Sequence, residues 1–213
     1  MSTPTTERQS ARERLLTAAN ELFYAGGVHT VGIDKVIERA GVAKATLYSV
    51  FGSKDELIRA YLQRRGEAWH EHLTGEVERR FLDPRHRLLG VFDVLADWYL
   101  TPGFHGCSFV NASAESPPGG PVEEATDEAR AWVRDFFIGL SADARVPDPR
   151  RLAQQLALLY HGATLSARMD RDPGAALVAR AAAETLLDAA LSSQAQPASQ
   201  AQPAGQAQPA GQA

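Results

Sequence analysis

Residues 39–57 read RAGVAKATLYSVFGSKDEL. One helical pattern closes at Gly41, a second lasts only from about Lys44 to Val50, and a third opens at Ser53. A helix of two turns is marginal alone in water, because nucleation costs more than so few hydrogen bonds return. Something else must hold it, and Leu47 is the side chain placed to do so. Upstream, Ile33, Val36, Ile37 and Ala40 form an apolar stripe, Gly41 suits a left-handed turn, and Val42 plugs the corner. Helix, turn of three or four residues, short helix: this is a helix-turn-helix pattern.

Working outward, Leu15, Ala18, Ala19, Leu22 and Phe23 share one face of a helix that starts near Ser10 and stops at Gly26-Gly27. Ser53 and Glu56 form a capping box for a long helix reaching about Arg80. Asp83-Pro84 opens the next helix, CSFVNASAE fits one short helix, and SPPGGP is a loop. Val122 to about Leu140 reads as helix. Asp148-Pro149 and Asp172-Pro173 each place a carboxylate before a proline, which predicts helices over 149–170 and 173–192. Both are apolar on more than one side, and the second is rich in alanine, so they suit packing against a second copy. Residues 1–9 are polar, and 193–213 repeat QAQPA without a large apolar side chain; both are expected to be disordered. The predicted fold is all-α with nine or so helices. It divides into a helix-turn-helix unit over 10–56 and a sensing and dimerisation unit over 57–192.

The outward side of the short helix carries Lys44, Ala45, Tyr48 and Ser49, a width suited to the major groove. Lys44 and Lys54 suit phosphates as point charges, and the Thr46 and Tyr48 hydroxyls suit phosphate oxygens; Tyr48 fits equally as partly core. Ala45 and Ser49 are small enough to meet a thymine methyl or a base edge.

GIDKVIERAGVAKATLYSVFGSKDEL resembles the DNA-binding segment of the tetracycline-repressor (TetR) family of bacterial regulators. The likeness rests on Phe23, Gly27, Val36, Ala40-Gly41-Val42, Thr46-Leu47-Tyr48, Phe51, Ser53-Lys54 and Leu57. It covers about residues 10–58 as motif, and only helical layout beyond. The resemblance implies three N-terminal helices that bind an operator in double-stranded DNA, a helical domain for a small-molecule effector, and a homodimer joined through the last two helices. Carried over by position, Lys44, Ala45, Thr46, Tyr48, Ser49 and Lys54 face DNA, and Gly32 and Ile33 add contacts. Two departures stand out. Ala43 sits where the family often has Ser or Thr as N-cap, and Ile37 where it often has Ala.

The net charge of −4 conceals unlike halves. Residues 1–65 hold ten Lys/Arg against seven Asp/Glu, and the remainder twelve against nineteen. A basic front on an acidic body fits DNA binding better than the total suggests. No apolar run reaches the length of a membrane span, and no secretory signal is visible, so the cytoplasm is expected. The single cysteine, Cys107, excludes an internal disulfide framework and a cysteine-rich metal site. Neither a metal nor a cofactor is expected. No nucleophile elbow accompanies Cys107 and the histidines, which argues against an enzyme. For the effector, the candidate lining is Phe92, Trp98, Phe109, Asn111, Trp132, Tyr160 and His161, with core packing the alternative for each. The expected function is a ligand-responsive repressor bound to a palindromic operator. The alternatives are an activator of the same fold, or a redox-responsive regulator acting through Cys107.

Overall fold

The computed structural model describes residues 9–192 of the 213-residue chain. The expected disordered arm, apart from residue 9, and the QAQPA tail lie outside the described residues. Among the described residues there are nine helices and no strand. The first four are α1 (Ala11–Gly26), α2 (Ile33–Ala40), α3 (Lys44–Phe51) and α4 (Lys54–Arg80). Then come α5 (Pro84–Tyr99), α6 (Ser108–Glu115), α7 (Pro121–Asp143), α8 (Pro149–Met169) and α9 (Ala175–Ser192).

The helix starts follow side-chain capping. Ser10 Oγ accepts from Glu13 N, Ser53 Oγ from Glu56 N and Asp83 Oδ1 from His86 N, each at 3.1 Å. Asp148 Oδ1 accepts from Arg151 N at 3.0 Å. Each satisfies one of the orphan N–H groups at a helix start. Ala43, at the start of α3, has no side chain to do this. The second Asp-Pro pair behaves differently from the first. Asp172 Oδ1 accepts from Gly174 N at 2.8 Å, a bond two residues on rather than three, and α9 begins only at Ala175. The predicted start at Pro173 is therefore corrected: a local turn of the aspartate wins over the cap.

Gly41 adopts φ 62°, the left-handed conformation that only glycine takes at no steric cost, and its N–H reaches back to α2. Arg14 of α1 donates to the Gly41 carbonyl at 3.3 Å, tying the turn to its scaffold. Leu47 is fully buried and is the buried residue of α3. Phe51, rather than Val50, supplies its second apolar contact; Val50 faces solvent.

Two apolar cores result. The first gathers Leu15, Phe23, Val36 and Leu47 around Leu57, Ile58, Tyr61 and Leu62 of α4, and takes in Ala112 of α6 with Val122 and Ala125 of α7. The second collects Leu73 and Val77 of α4 with α5, the later part of α7, α8 and α9. The first core thus does not stop at residue 56. α8 lies between α7 and α9, and α5 packs on α4, α7 and α9. No helix among the described residues is long and apolar enough to cross a membrane.

Because Leu47 alone seats α3 deeply, Leu47→Ala should cost about 2–5 kcal/mol. Val50→Ala, on the solvent side, should stay within about 0.5 kcal/mol of wild type. Urea denaturation of the two variants checks this; equal effects would mean that α3 is not held by its buried side.

Candidate functional site

The residues singled out for DNA converge on one end of the molecule. Lys44, Ala45, Tyr48 and Ser49 are exposed on α3, Gly32 is exposed before α2, and Thr46 and Ile33 are partly buried. Tyr48 is 45% exposed, so its ring belongs to the surface and not to the core. Lys44 Nζ lies 3.1 Å from Asp34 Oδ1, which brings the starts of α2 and α3 side by side. That hydrogen bond and the charge of Asp34 raise the Lys44 pKa. Lys54 is placed differently. It leans over the Phe23 ring at 6.0 Å, partly buried, and loss of solvation lowers its pKa.

A cavity of about 150 Å³ opens among α4, α6, α7 and α8. Of the residues expected there, Trp98, Phe109, Asn111, Tyr160 and His161 line it. Phe92 and Trp132 do not. Phe92 is fully buried in the second core against Phe137. Trp132 stands one layer back, stacked at 3.7 Å on His70, which does reach the cavity. Trp69 donates to the Tyr160 hydroxyl at 2.7 Å and lies 4.5 Å from Trp98, so three aromatic rings form one rigid wall. Gly66 makes room on α4: a Cβ there would lie 3.1 Å from the Phe109 ring.

Two polar side chains of the lining are fixed by hydrogen bonds. Asn111 Nδ2 donates to the His105 carbonyl at 3.0 Å, and Thr164 Oγ1 bonds the Tyr99 hydroxyl at 2.8 Å. Cys107 shows what surface it has to this cavity, and burial pushes its thiol pKa up against the opposing pull of the Phe109 and Val110 N–H groups. Three arginines that sequence reasoning passed over, Arg65, Arg130 and Arg168, also line the cavity. Among the described residues no cluster of His, Cys, Asp and Glu could hold a metal.

α6 bridges the cavity and the helix-turn-helix unit at both ends. At its start, the Tyr24 hydroxyl of α1 donates to the Gly106 carbonyl at 3.1 Å and accepts from His105 N at 3.0 Å. At its end, Glu115 accepts from His29 N at 2.8 Å, and Ser116 bonds the His29 ring at 3.2 Å.

The pattern of bacterial regulatory proteins of the tetR family matches residues 15–61. The fold superposes on a TetR-family transcriptional regulator from Streptomyces coelicolor with a TM-score of 0.77 and 33% identity, covering 84% of this chain and 95% of that one. The chain belongs to the TetR family.

Relatives within this family of regulators include both signs of control. The transcriptional repressor NemR of Escherichia coli is 27% identical over 169 residues, 75% of this chain and 85% of that protein. The transcriptional activator FasR of Mycolicibacterium smegmatis is 49% identical over 94 residues, but that match spans only 41% of FasR and 43% of this chain. The family pattern covers the N-terminal helices and stops within α4. This is why α3 could be read from sequence while the arginines of the cavity could not. No motif marks Arg65, Arg130 and Arg168. The available signal was their place on helices that also carry Trp69, Val133 and Tyr160.

His161 lies edge-on to Tyr160, and its ring has no hydrogen-bond partner among the described residues. Burial pushes its pKa down to about 4, helped by the charges of Arg130 and Arg134. The unfolded chain binds this proton near pH 6.5. Between that value and about 4 the unfolded state holds more protons, so stability is full above the window and falls as pH drops through it. From about pH 7.5 to about pH 5, wild type should therefore lose more stability than His161→Gln. Urea midpoints at the two pH values check this, and equal losses would refute it.

Proposed function

We propose that the protein is a homodimeric transcriptional repressor that reads a palindromic operator with α3 and is released by a small molecule held in the cavity. What carries this reading is α3 itself: eight residues, Leu47 buried beneath, and Lys44, Ala45, Tyr48 and Ser49 left to solvent. A helix that short, presenting small residues between hydroxyls and an ammonium, suits a major groove, where base edges are read while phosphates fix the register. Gly32, Ile33, Thr46 and Lys54 complete the assigned contact set, with residues 10–56 as the reading unit and 57–192 as the sensing body. Repression is favoured by NemR, a repressor matched over most of its length.

Dimerisation is supported by large apolar side chains left exposed on α8 and α9. Leu158, Leu165 and Met169 of α8 are 73%, 52% and 72% exposed, and Leu177 and Val178 of α9 are 57% and 73% exposed. Exposed apolar side chains gathered on neighbouring helices suit an interaction site. Paired through α8 and α9, two copies would hold their α3 helices for half-sites about one helical turn, roughly 34–36 Å, apart. An effector acts only if it favours one separation over the other. The bonds from α6 to Tyr24 and His29 offer a route, because Cys107 to Asn111 line the cavity on the same helix. The redox alternative through Cys107 is less favoured, because burial holds the thiol protonated and the thiolate is the reactive form.

Selection from random duplex DNA at near-physiological salt should enrich a palindrome. Weak, salt-sensitive binding without enrichment would mean that phosphates are gripped and bases are not read. Leu158→Glu with Val178→Glu should give monomers that lose operator binding, as sedimentation and gel shift would reveal; an intact dimer would remove α8 and α9 from the interface. Asp34→Asn should free Lys44 for phosphate and raise operator affinity a few-fold, most visibly at low salt. Unchanged affinity would take Lys44 out of the phosphate contacts.

A further inference from the structure

Every charged side chain that lines the cavity among the described residues is an arginine; no aspartate or glutamate lines it. The three arise from different helices, Arg65 from α4, Arg130 from α7 and Arg168 from α8, yet converge on one space. Several arginines elsewhere are ion-paired: Arg39 with Glu21, Arg64 with Glu13, Arg80 with Asp97, Arg85 with Asp188 and Arg180 with Asp93. None of the cavity three is in an ion pair among the described residues. Arg65 is held by uncharged groups alone, donating to Asn20 Oδ1 at 2.9 Å and stacking on the Tyr24 ring at 3.7 Å. Arg168 lays its stem against Gly106, where a Cβ would lie 3.1 Å from its Cγ. Arg130 and Arg168 are exposed, so they mark the mouth, while Trp69, Phe109 and Tyr160 form the interior.

Positive charge gathered at one rim without counter-charge is costly for the free protein and complementary to an anion. Guanidinium groups match a carboxylate's two oxygens through parallel N–H donors. The apolar interior sets the other end of the ligand. A void of about 150 Å³ takes roughly one benzene ring. The two histidines add no competing charge: burial lowers both pKa values, and the field of Arg130 and Arg134 lowers that of His161 further.

We propose that the effector is a small monocarboxylic acid with one ring-sized apolar body, its carboxylate held at the rim by Arg130 and Arg168 and its body against Trp98, Phe109 and Tyr160. This rests on the reading of the protein as effector-responsive and names the chemical class of that effector.

Calorimetric titration of the full chain without DNA tests it, using benzoate, its neutral isostere benzamide and the cation benzylammonium. Benzoate should bind at least about tenfold more tightly than either of the others, the margin expected of one charge-assisted contact. The double variant Arg130→Gln, Arg168→Gln should bring benzoate down to the level of benzamide and leave benzamide unchanged. Both residues are exposed, so the variant keeps its core, and the melting temperature checks this. Benzamide or benzylammonium binding as well as benzoate would overturn the proposal. So would undiminished benzoate binding by the double variant, or no binding of any probe at millimolar concentration. Because the titration contains no DNA and the operator selection contains no probe, either result can fail alone and identify which inference is wrong.

Discussion

The unbroken run of α4 is the constraint on which the rest of the molecule depends. Its first turns bury Leu57, Ile58, Tyr61 and Leu62 beneath α1 and α3, and its later turns bury Leu73 and Val77 against α5. At about 1.5 Å per residue its 27 residues form a rod of about 40 Å that belongs to both cores. Neither core can rotate without dragging this helix through the other. The cavity wall is mounted on the same rod, since Arg65, Trp69 and His70 project from its middle. Space for a ligand and the seating of α3 are therefore set by one element.

α6 adds a second connection, shorter and made of hydrogen bonds instead of buried carbon. Buried apolar contacts resist sliding only weakly in direction, whereas the bonds of Tyr24, His29 and Glu115 are directional and specific to the atoms that make them. The rod joins the two cores by burial, and the strap joins α6 to α1 and His29 by hydrogen bonds. Five lining positions on or beside α6, from Cys107 to Asn111, put the strap itself in the path of anything that fills the cavity.

Much of this was legible in the chain. α2 ends at Ala40 with Gly41 left-handed because no other residue takes that conformation so cheaply, and Ser53 caps α4 because its hydroxyl reaches the N–H three residues on. The same rule misled at Asp172, where a glycine two residues on offered a nearer N–H than the cap position did. The aromatic candidates split for a geometric reason. A period of 3.6 says which residues share a face, but not whether that face meets another helix or an empty space. Phe92 met Phe137, while Trp98 met the void. The arginines were invisible for a different reason: a long charged stem reads as solvent-facing, and only tertiary convergence shows that three of them line one cavity.

The Tyr24 hydroxyl binds two consecutive residues at once, donating to the Gly106 carbonyl and accepting from the His105 N–H. One oxygen thus senses both the position and the orientation of the His105–Gly106 backbone. A translation that preserved one bond would misalign the other, and a rotation of the loop would break both together. The junction ties α1 to the start of α6 through two bonds on one oxygen, so the two helices share one reference point.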